Sequence, residues 1–542
     1  MKKYLSVPLM LLTSIAWAET KPPALVVQIV VDQLRGDLLE RYKSKFGTEG
    51  FNYLLSHGIN YQNAHHPHAH TVTCVGHATI ATGSFPALHG VVANDWIDRQ
   101  TGQSVYCMED LNSKIIPTSH TKKELPGRSP RQLLASTLSD ELVLAQKGQA
   151  FAVSLKDRAA ITLAGHAGQA YWFDRSNGGF VSSSYYLTQY PQWVINWNAD
   201  YQDQNETWSL SRPVNQYTFA KSAGFPNRSS KDFGKGFPHH TGEPGNEEYY
   251  EFLSMTPKAD ELTADFAIHL LKEEKLGITA NTVDYLGISF SAVDAVGHEF
   301  GPNSLESEDN LLRLDQTMAK LLKAIDAQVG LANTLIVLSA DHGVSDSPSY
   351  LSEHHMPQAN ALNEGELRQK IEQTLLKRFQ LPANSLQAIM PPYVYLNHEV
   401  IRSHSMDIDQ VNATLVETLG NFPGVFQAYA LSLANTQHDW LSDKVIRMAN
   451  LSRAGDLYLV PPPYQLSEDQ EGQKVDHGTP WQYDSYVPLL FVNAQFEAQT
   501  ITRPVYTTDI ATTLAAVLAI KSPSAAVGQP LAEVTRFYDN KA

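Results

Sequence analysis

The sequence predicts an α/β fold: a doubly wound, largely parallel central sheet flanked by helices, with cap insertions beside it. Three observations lead there. Several runs of apolar, β-branched residues are nearly continuous rather than alternating, as in strands covered on both faces. Amphipathic helical patterns lie between those runs, the order of a parallel α/β sheet. The runs end in Asp or lead into Asp and His, at the edge where open α/β sheets bind ligands.

Residues 1–18 are set aside before the fold begins. Lys2 and Lys3 precede an apolar stretch from Leu5 to Ile15, and Ala16-Trp17-Ala18 supplies the small residues of a cleavage site before Glu19. The stretch is shorter than the ~18 apolar residues that a membrane span needs, so it reads as a secretory signal peptide. A periplasmic or secreted protein is expected, with residues 19–542 as the mature chain and no association with membrane. The only cysteines are Cys74 and Cys107, and export permits them to form a disulfide; two buried free thiols are the alternative.

In chain order, the first strand is Ala24 to Asp32. Thr71 to Gly83 follows as a short helical pattern ended by glycine. Further strands are expected over 284–290, 334–339 and 487–493. Helices are expected over Glu261 to Glu274, Glu308 to Val329, Gly365 to Phe379 and Asp509 to Leu518. Two stretches differ. Residues near 166–255 are rich in Tyr, Trp, Asn, Ser and Gly without a sustained period, and residues near 350–475 mix helices and short strands before the Pro461–Pro463 turn. Both read as insertions that build a cap. The formal charge of −16 over 542 residues argues against a nucleic-acid polymer as partner, because affinity for its backbone needs clustered Lys and Arg. An anionic small molecule is still admissible if divalent cations dominate the local field.

The chemistry lies at the strand ends. The first strand ends in Asp32, the second leads into Asp294 and His298, and the third into Asp341 and His342; His477 follows in a polar loop. Singly, each has a bland explanation as a turn, a cap or a solvated helix face. Together they are carboxylates and imidazoles converging on one edge, a donor set suited to zinc, and six of them suffice for two ions. Thr73 lies near a helix N-terminus, where free N–H groups favour an anion. A hydroxyl needs activation to act as a nucleophile, and with no Ser-His-Asp arrangement evident, metal coordination remains. His65, His66, His68 and His70 are read as a polar loop before Thr73, with capture of an extra metal as the lesser reading.

The blocks VVDQLRGD, TVTCVGHATIATGSFPALHG, VANDW, SLKDR, SAVDAVGH, SADHG and DHGTPW, in this order and ending with TTDIATTLAAVLAI, resemble the threonine-nucleophile, zinc-dependent alkaline phosphatases. These form part of the type I phosphodiesterase/nucleotide pyrophosphatase branch of the alkaline phosphatase superfamily. The resemblance implies two Zn2+ ions: one on Asp294, His298 and His477, the other on Asp32, Asp341 and His342, with Thr73 completing its shell. It implies a phosphothreonine intermediate and a phosphate-binding role for Asn94. Lys156 and Arg158 are similar to the monoesterase pattern: two cations suit the extra unesterified oxygen of a monoester dianion. The expected activity is therefore hydrolysis of small phosphate monoesters by a monomeric enzyme. A phosphodiesterase or nucleotide pyrophosphatase using the same residues is the alternative, with the aromatic stretch at 166–255 stacking a base. A non-catalytic exported zinc-binding protein is the lesser one. A sulfatase is disfavoured, since Cys74-Val-Gly-His-Ala does not supply the Cys-x-Pro-x-Arg motif that chemistry needs.

Overall fold

The structure is a computed structural model that describes residues 22–220, 233–234, 236–433, 438–469 and 472–539. The expected signal peptide lies outside the described residues. Among these, no helix is long and apolar enough to cross a membrane.

Nine strands form the central sheet, in the order Gln499–Ile501, Gly58–Tyr61, Leu490–Val492, Thr334–Ser339, Leu25–Val31, Asp284–Phe290, Ala150–Ser154, Gln169–Phe173 and Phe180–Val181. The five from Thr334–Ser339 to Gln169–Phe173 run parallel, and Leu25–Val31 sits among them, paired with Asp284–Phe290 on one side and Thr334–Ser339 on the other. Every residue of Leu25–Val31 is buried. Val26 and Val30 pack into one core, with Val75, Ile161 and Leu514 of the helices on that face. Leu25, Val27, Ile29 and Val31 pack into the opposite core, with Phe266, Leu314 and Leu321. Alternate side chains thus serve two covered faces, which is why this strand reads as one apolar run.

Of the expected strand 487–493, Leu490–Val492 joins the sheet antiparallel to its neighbours, whereas Tyr486–Val487 leaves it to pair with Ala64–His65. Pro488 lies between the two pieces. Gln169–Phe173 and Phe180–Val181, at the start of the aromatic-rich stretch, extend the central sheet. Their aromatic rings are spent on the core: Phe180 stacks on Phe266 at 4.0 Å, and Tyr171 and Trp193 lie against the same ring. Within 350–475, Leu386–Met390, Tyr393–Leu396, Leu457–Val460 and Gln427–Ala430 make a separate four-stranded antiparallel sheet. The helices Glu364–Phe379 and Ile408–Leu419 close a core of its own through Leu367, Ile371, Val411 and Leu415.

Candidate active site

Four neighbouring parallel strands end at one edge, and each delivers a polar side chain there. Asp32 follows Val31, and its N–H still bonds the Phe290 carbonyl at 2.9 Å, so the ladder fixes its direction. Asp341 and His342 follow Ser339, and Lys156 follows Ser154 by two residues. After Phe290 the chain turns into the helix Ala292–Phe300, where Asp294 and His298 are four apart and so share a face. Asp260, buried on the helix Pro257–Glu273, accepts the N–H groups of Ser291 (2.7 Å) and Ala292 (3.1 Å) and anchors the start of that helix.

The imidazoles are oriented from behind. His298 Nδ1 bonds the Val475 carbonyl (2.9 Å), His342 Nδ1 the Gly343 carbonyl (3.0 Å) and His477 Nδ1 the Thr71 carbonyl (2.8 Å). A carbonyl only accepts, so Nδ1 carries the hydrogen and Nε2 presents its lone pair forward, the arrangement of metal-bound histidines. What those lone pairs meet are carboxylates. His298 Nε2 is 3.1 Å and His477 Nε2 3.5 Å from Asp294 Oδ1, while His342 Nε2 is 3.3 Å from Asp32 Oδ1 and 3.4 Å from Asp341 Oδ2.

Facing acceptors repel unless positive charge lies between them. Although burial opposes it, Asp294 raises His298 and pushes His477 up to about 9, so in the absence of a cation a proton takes that place. Asp32 Oδ1, Asp341 Oδ2 and His342 Nε2 are all buried with no hydrogen-bond partner. Three orphaned acceptors in one place fit a divalent cation.

Asp294, His298 and His477 offer ligand atoms within 4.8 Å of one another, the trio expected from the sequence. The second tight group is Asp32, Asp294 and His342. Asp341 stands beside it, drawn towards His77 Nδ1 (3.2 Å) and the N–H of Gln33 (3.2 Å). Asp294 joins both groups because the Lys156 ammonium clamps it to Asp32, at 2.6 and 2.5 Å. Burial disfavours the charge on Lys156, but Asp294 and Asp32 outweigh it and hold the ammonium above its ordinary value.

Thr73 is the first residue of the helix Thr73–Thr82, whose residues are all buried; Gly83 ends it at φ 63°, as the sequence pattern requires. The Arg158 Nη2 group lies 3.5 Å from Thr73 Oγ1, and the next N–H, of Cys74, donates to Asn94 Oδ1 at 2.9 Å. Arg158 thus stands beside the Thr73 hydroxyl, and Asn94 is held to the backbone of the next residue. The cysteines are joined as Cys74–Cys107, and Tyr106, beside Cys107, donates to Asp157 at 2.6 Å. Arg128 holds the other Asp157 oxygen, also at 2.6 Å, so the nucleophile helix and the Lys156–Arg158 segment are tied to one loop.

Sequence reading missed Gln33, His77 and Asp260. Gln33 adopts φ 67° and touches both groups, through its N–H to Asp341 and through Nε2 to Asp294 Oδ1 (2.8 Å). His77 links the Thr73 carbonyl (2.9 Å) to Ser289 and lies 3.2 Å from Asp341 Oδ2. Only His77, one turn after Thr73 on the same helix, had a spacing that could have exposed it. After Ala64–His65 the histidine tract is a loop before Thr73, as expected, but a buried one: His66 and His68 are fully buried, and His66 bonds the Ala340 carbonyl and Thr507. Among the described residues, no metal-ligand group forms there.

A family model, type I phosphodiesterase / nucleotide pyrophosphatase, matches residues 26–482. Alkaline phosphatase PafA of Elizabethkingia meningoseptica is 34% identical over 94% of each chain. Alkaline phosphatase PhoV of Synechococcus elongatus is 33% identical over 95% of this chain and 93% of its own. A crystal structure of PafA altered at a threonine, an asparagine, a lysine and an arginine superposes with a TM-score of 0.86 at 32% identity, covering 95% of this chain and 99% of that one.

Proposed function

From the premise that this chain belongs to the type I phosphodiesterase/nucleotide pyrophosphatase family and is a phosphatase, we propose that it hydrolyses phosphate monoesters with Thr73 as nucleophile, between two zinc ions. The observation that carries this reading is the convergence of two ligand groups on the first turn of the helix that presents Thr73. Asp294, His298 and His477 would hold one ion, and Asp32, Asp341 and His342 the other. Ions there would supply Lewis acidity to the entering and leaving oxygens. Asp32, Asp294 and Asp341 carry three negative charges against one on Lys156, so two divalent cations leave the site positive and receptive to a dianion.

The chain's own groups do the positioning. Arg158, beside Thr73 Oγ1, and Lys156 face the unesterified oxygens of the phosphoryl group, whose charge spreads over them in the transition state. Asn94 accepts from Cys74 through Oδ1, which leaves its amide N–H2 as the donor end. Thr73 Oγ1 attacks in line, its bond to phosphorus forming as the ester P–O bond breaks, and the departing alcohol takes up a proton. Water then displaces Thr73 from phosphorus and the hydroxyl is restored. Two inversions give net retention. In the PafA variant, the four altered residues are separated by 21, 62 and 2 positions, the spacing of Thr73, Asn94, Lys156 and Arg158 here, which supports assigning these four to one functional set.

Thr73→Ala is expected to lose turnover while keeping its metal; near-normal activity would overturn the nucleophile. Replacing Lys156 and Arg158 by Ala should lower kcat/KM for p-nitrophenyl phosphate far more than for its bis ester. Equal losses would instead favour the diesterase reading. Of the aromatic stretch that reading would call on, Tyr171, Phe180 and Trp193 are committed to the core.

The same reading takes residues 19–542 as one monomeric catalytic chain with caps near 166–255 and 350–475. It places the chain in the periplasm or outside the cell; the Cys74–Cys107 disulfide supports an oxidising compartment.

A further inference from the structure

The metal-binding edge closes towards one side. Asp32, Asp341 and His342 are fully buried, whereas the His298 side chain is 31% exposed. A substrate whose phosphoryl group reaches Thr73 must therefore leave its organic part on the His298–His477 side. A cavity of about 390 Å3 opens there, between the core loops and the four-stranded lobe. Val72, the residue before Thr73, and His477 form its inner wall.

We propose that this cavity receives the leaving group of the ester, and that it selects uncharged or ammonium-bearing leaving groups against those carrying further negative charge. The inference rests on the phosphomonoesterase reading above and adds the substrate class.

Charge is the first argument. Glu364 and Asp476 line the cavity, as does Asp346, whose charge Arg35 offsets from behind at 3.3 Å, and among the described lining residues there is no Lys or Arg. A second phosphate or carboxylate on the leaving group, reaching past the ions, would meet Glu364 and Asp476, charges of its own sign, in a cleft whose low-dielectric walls strengthen their field. The phosphoryl group itself escapes this penalty, because Arg158 lies beside Thr73 and Lys156 between Asp32 and Asp294.

Shape is the second argument. Tyr464 and Tyr483, both on the wall, stack at 5.0 Å with 23° between their planes, and the Tyr483 hydroxyl accepts the Tyr464 N–H at 3.1 Å. Tyr464 is held at φ 53°, a left-handed conformation that a bulky residue adopts only when its surroundings impose it. Such ring surface beside carboxylates suits the C–H face of a polyol or an alkylammonium group.

The test compares kcat/KM of the metal-loaded enzyme for phosphocholine, glucose 6-phosphate and fructose 1,6-bisphosphate at low and at physiological salt. The first two are expected to exceed the bisphosphate by about ten-fold at low salt, with the gap shrinking as salt rises. Glu364 is exposed in the first turn of its helix, behind the Asn363 cap, so its replacement is tolerated by the fold. Glu364→Lys should narrow the gap at least about three-fold, and Glu364→Gln by less. Equal kcat/KM for the three esters, or a gap that neither Glu364 variant moves, overturns the leaving-group assignment while leaving Thr73 chemistry intact. Failure of the underlying reading would show separately, as turnover surviving in Thr73→Ala.

Discussion

Asp260 shows how a residue without contact to substrate governs the site. Its carboxylate is buried, and one oxygen holds two N–H groups at the start of the helix that carries Asp294 and His298, while the other has no partner. Burial raises it to about 7, against the pull of those N–H groups. Between its unfolded value near 4 and about 7, the native chain binds a proton that the unfolded chain has released. Its contribution to stability is therefore complete below about pH 4 and is lost as pH rises through 7. Asp260→Asn keeps an acceptor for the helix and removes this titration, so its melting temperature should vary less than that of the parent across pH 4–7. Asp260→Ala leaves both N–H groups unsatisfied and should cost about 2 kcal/mol, with weaker metal retention. An unchanged melting curve for Asp260→Ala would dispose of the anchoring role. Nothing local marks Asp260 in the sequence, since its partners lie 31 and 32 residues away.

At the scale of elements, the nucleophile helix is fixed by close approach rather than by its own amphipathicity. A Cβ on Gly76 would lie 2.0 Å from the Asp341 carbonyl oxygen, so the helix can touch the strand end only because that residue has no side chain. Gly76→Ala is expected to cost at least ~2 kcal/mol and to depress kcat by displacing Thr73 from the ligands. Gly236→Ala, where a Cβ meets nothing within 4 Å, should stay within about 0.5 kcal/mol. Matching melting temperatures for the two would refute the close-contact argument. The Cys74–Cys107 bridge closes a loop of 33 residues, and Cys107→Ser should lose up to about 4 kcal/mol by freeing the unfolded chain. Denaturant midpoints measured with and without reductant check this: the parent shifts, the variant does not.

For the whole molecule, the candidate ligands come from strand ends and loops spread between residues 32 and 477, so ions held there would cross-link most of the chain. Chelation should lower the melting temperature as well as abolish turnover. Each ion present at a hundred times its Kd contributes about 2.7 kcal/mol, and metal analysis should find two per chain. A stoichiometry of one would remove the second ligand group from the site.

The sequence alone determined the sheet class and pointed to the candidate ligands. A strand buried on both faces is apolar apart from isolated residues such as Gln28, and Asp32, Asp294, His298, Asp341 and His342 follow such strands closely, where the chain leaves the sheet at its ligand-binding edge. Tertiary structure alone decided what those ligands lean on. Gln33 at positive φ, Asp260 beneath a helix start, His66 and His68 in the core, and Asp294 drawn towards Asp32 by Lys156 all depend on contacts between segments far apart in the chain. Periodicity records which face of an element is covered; it holds no record of which distant backbone N–H or ammonium group will arrive there.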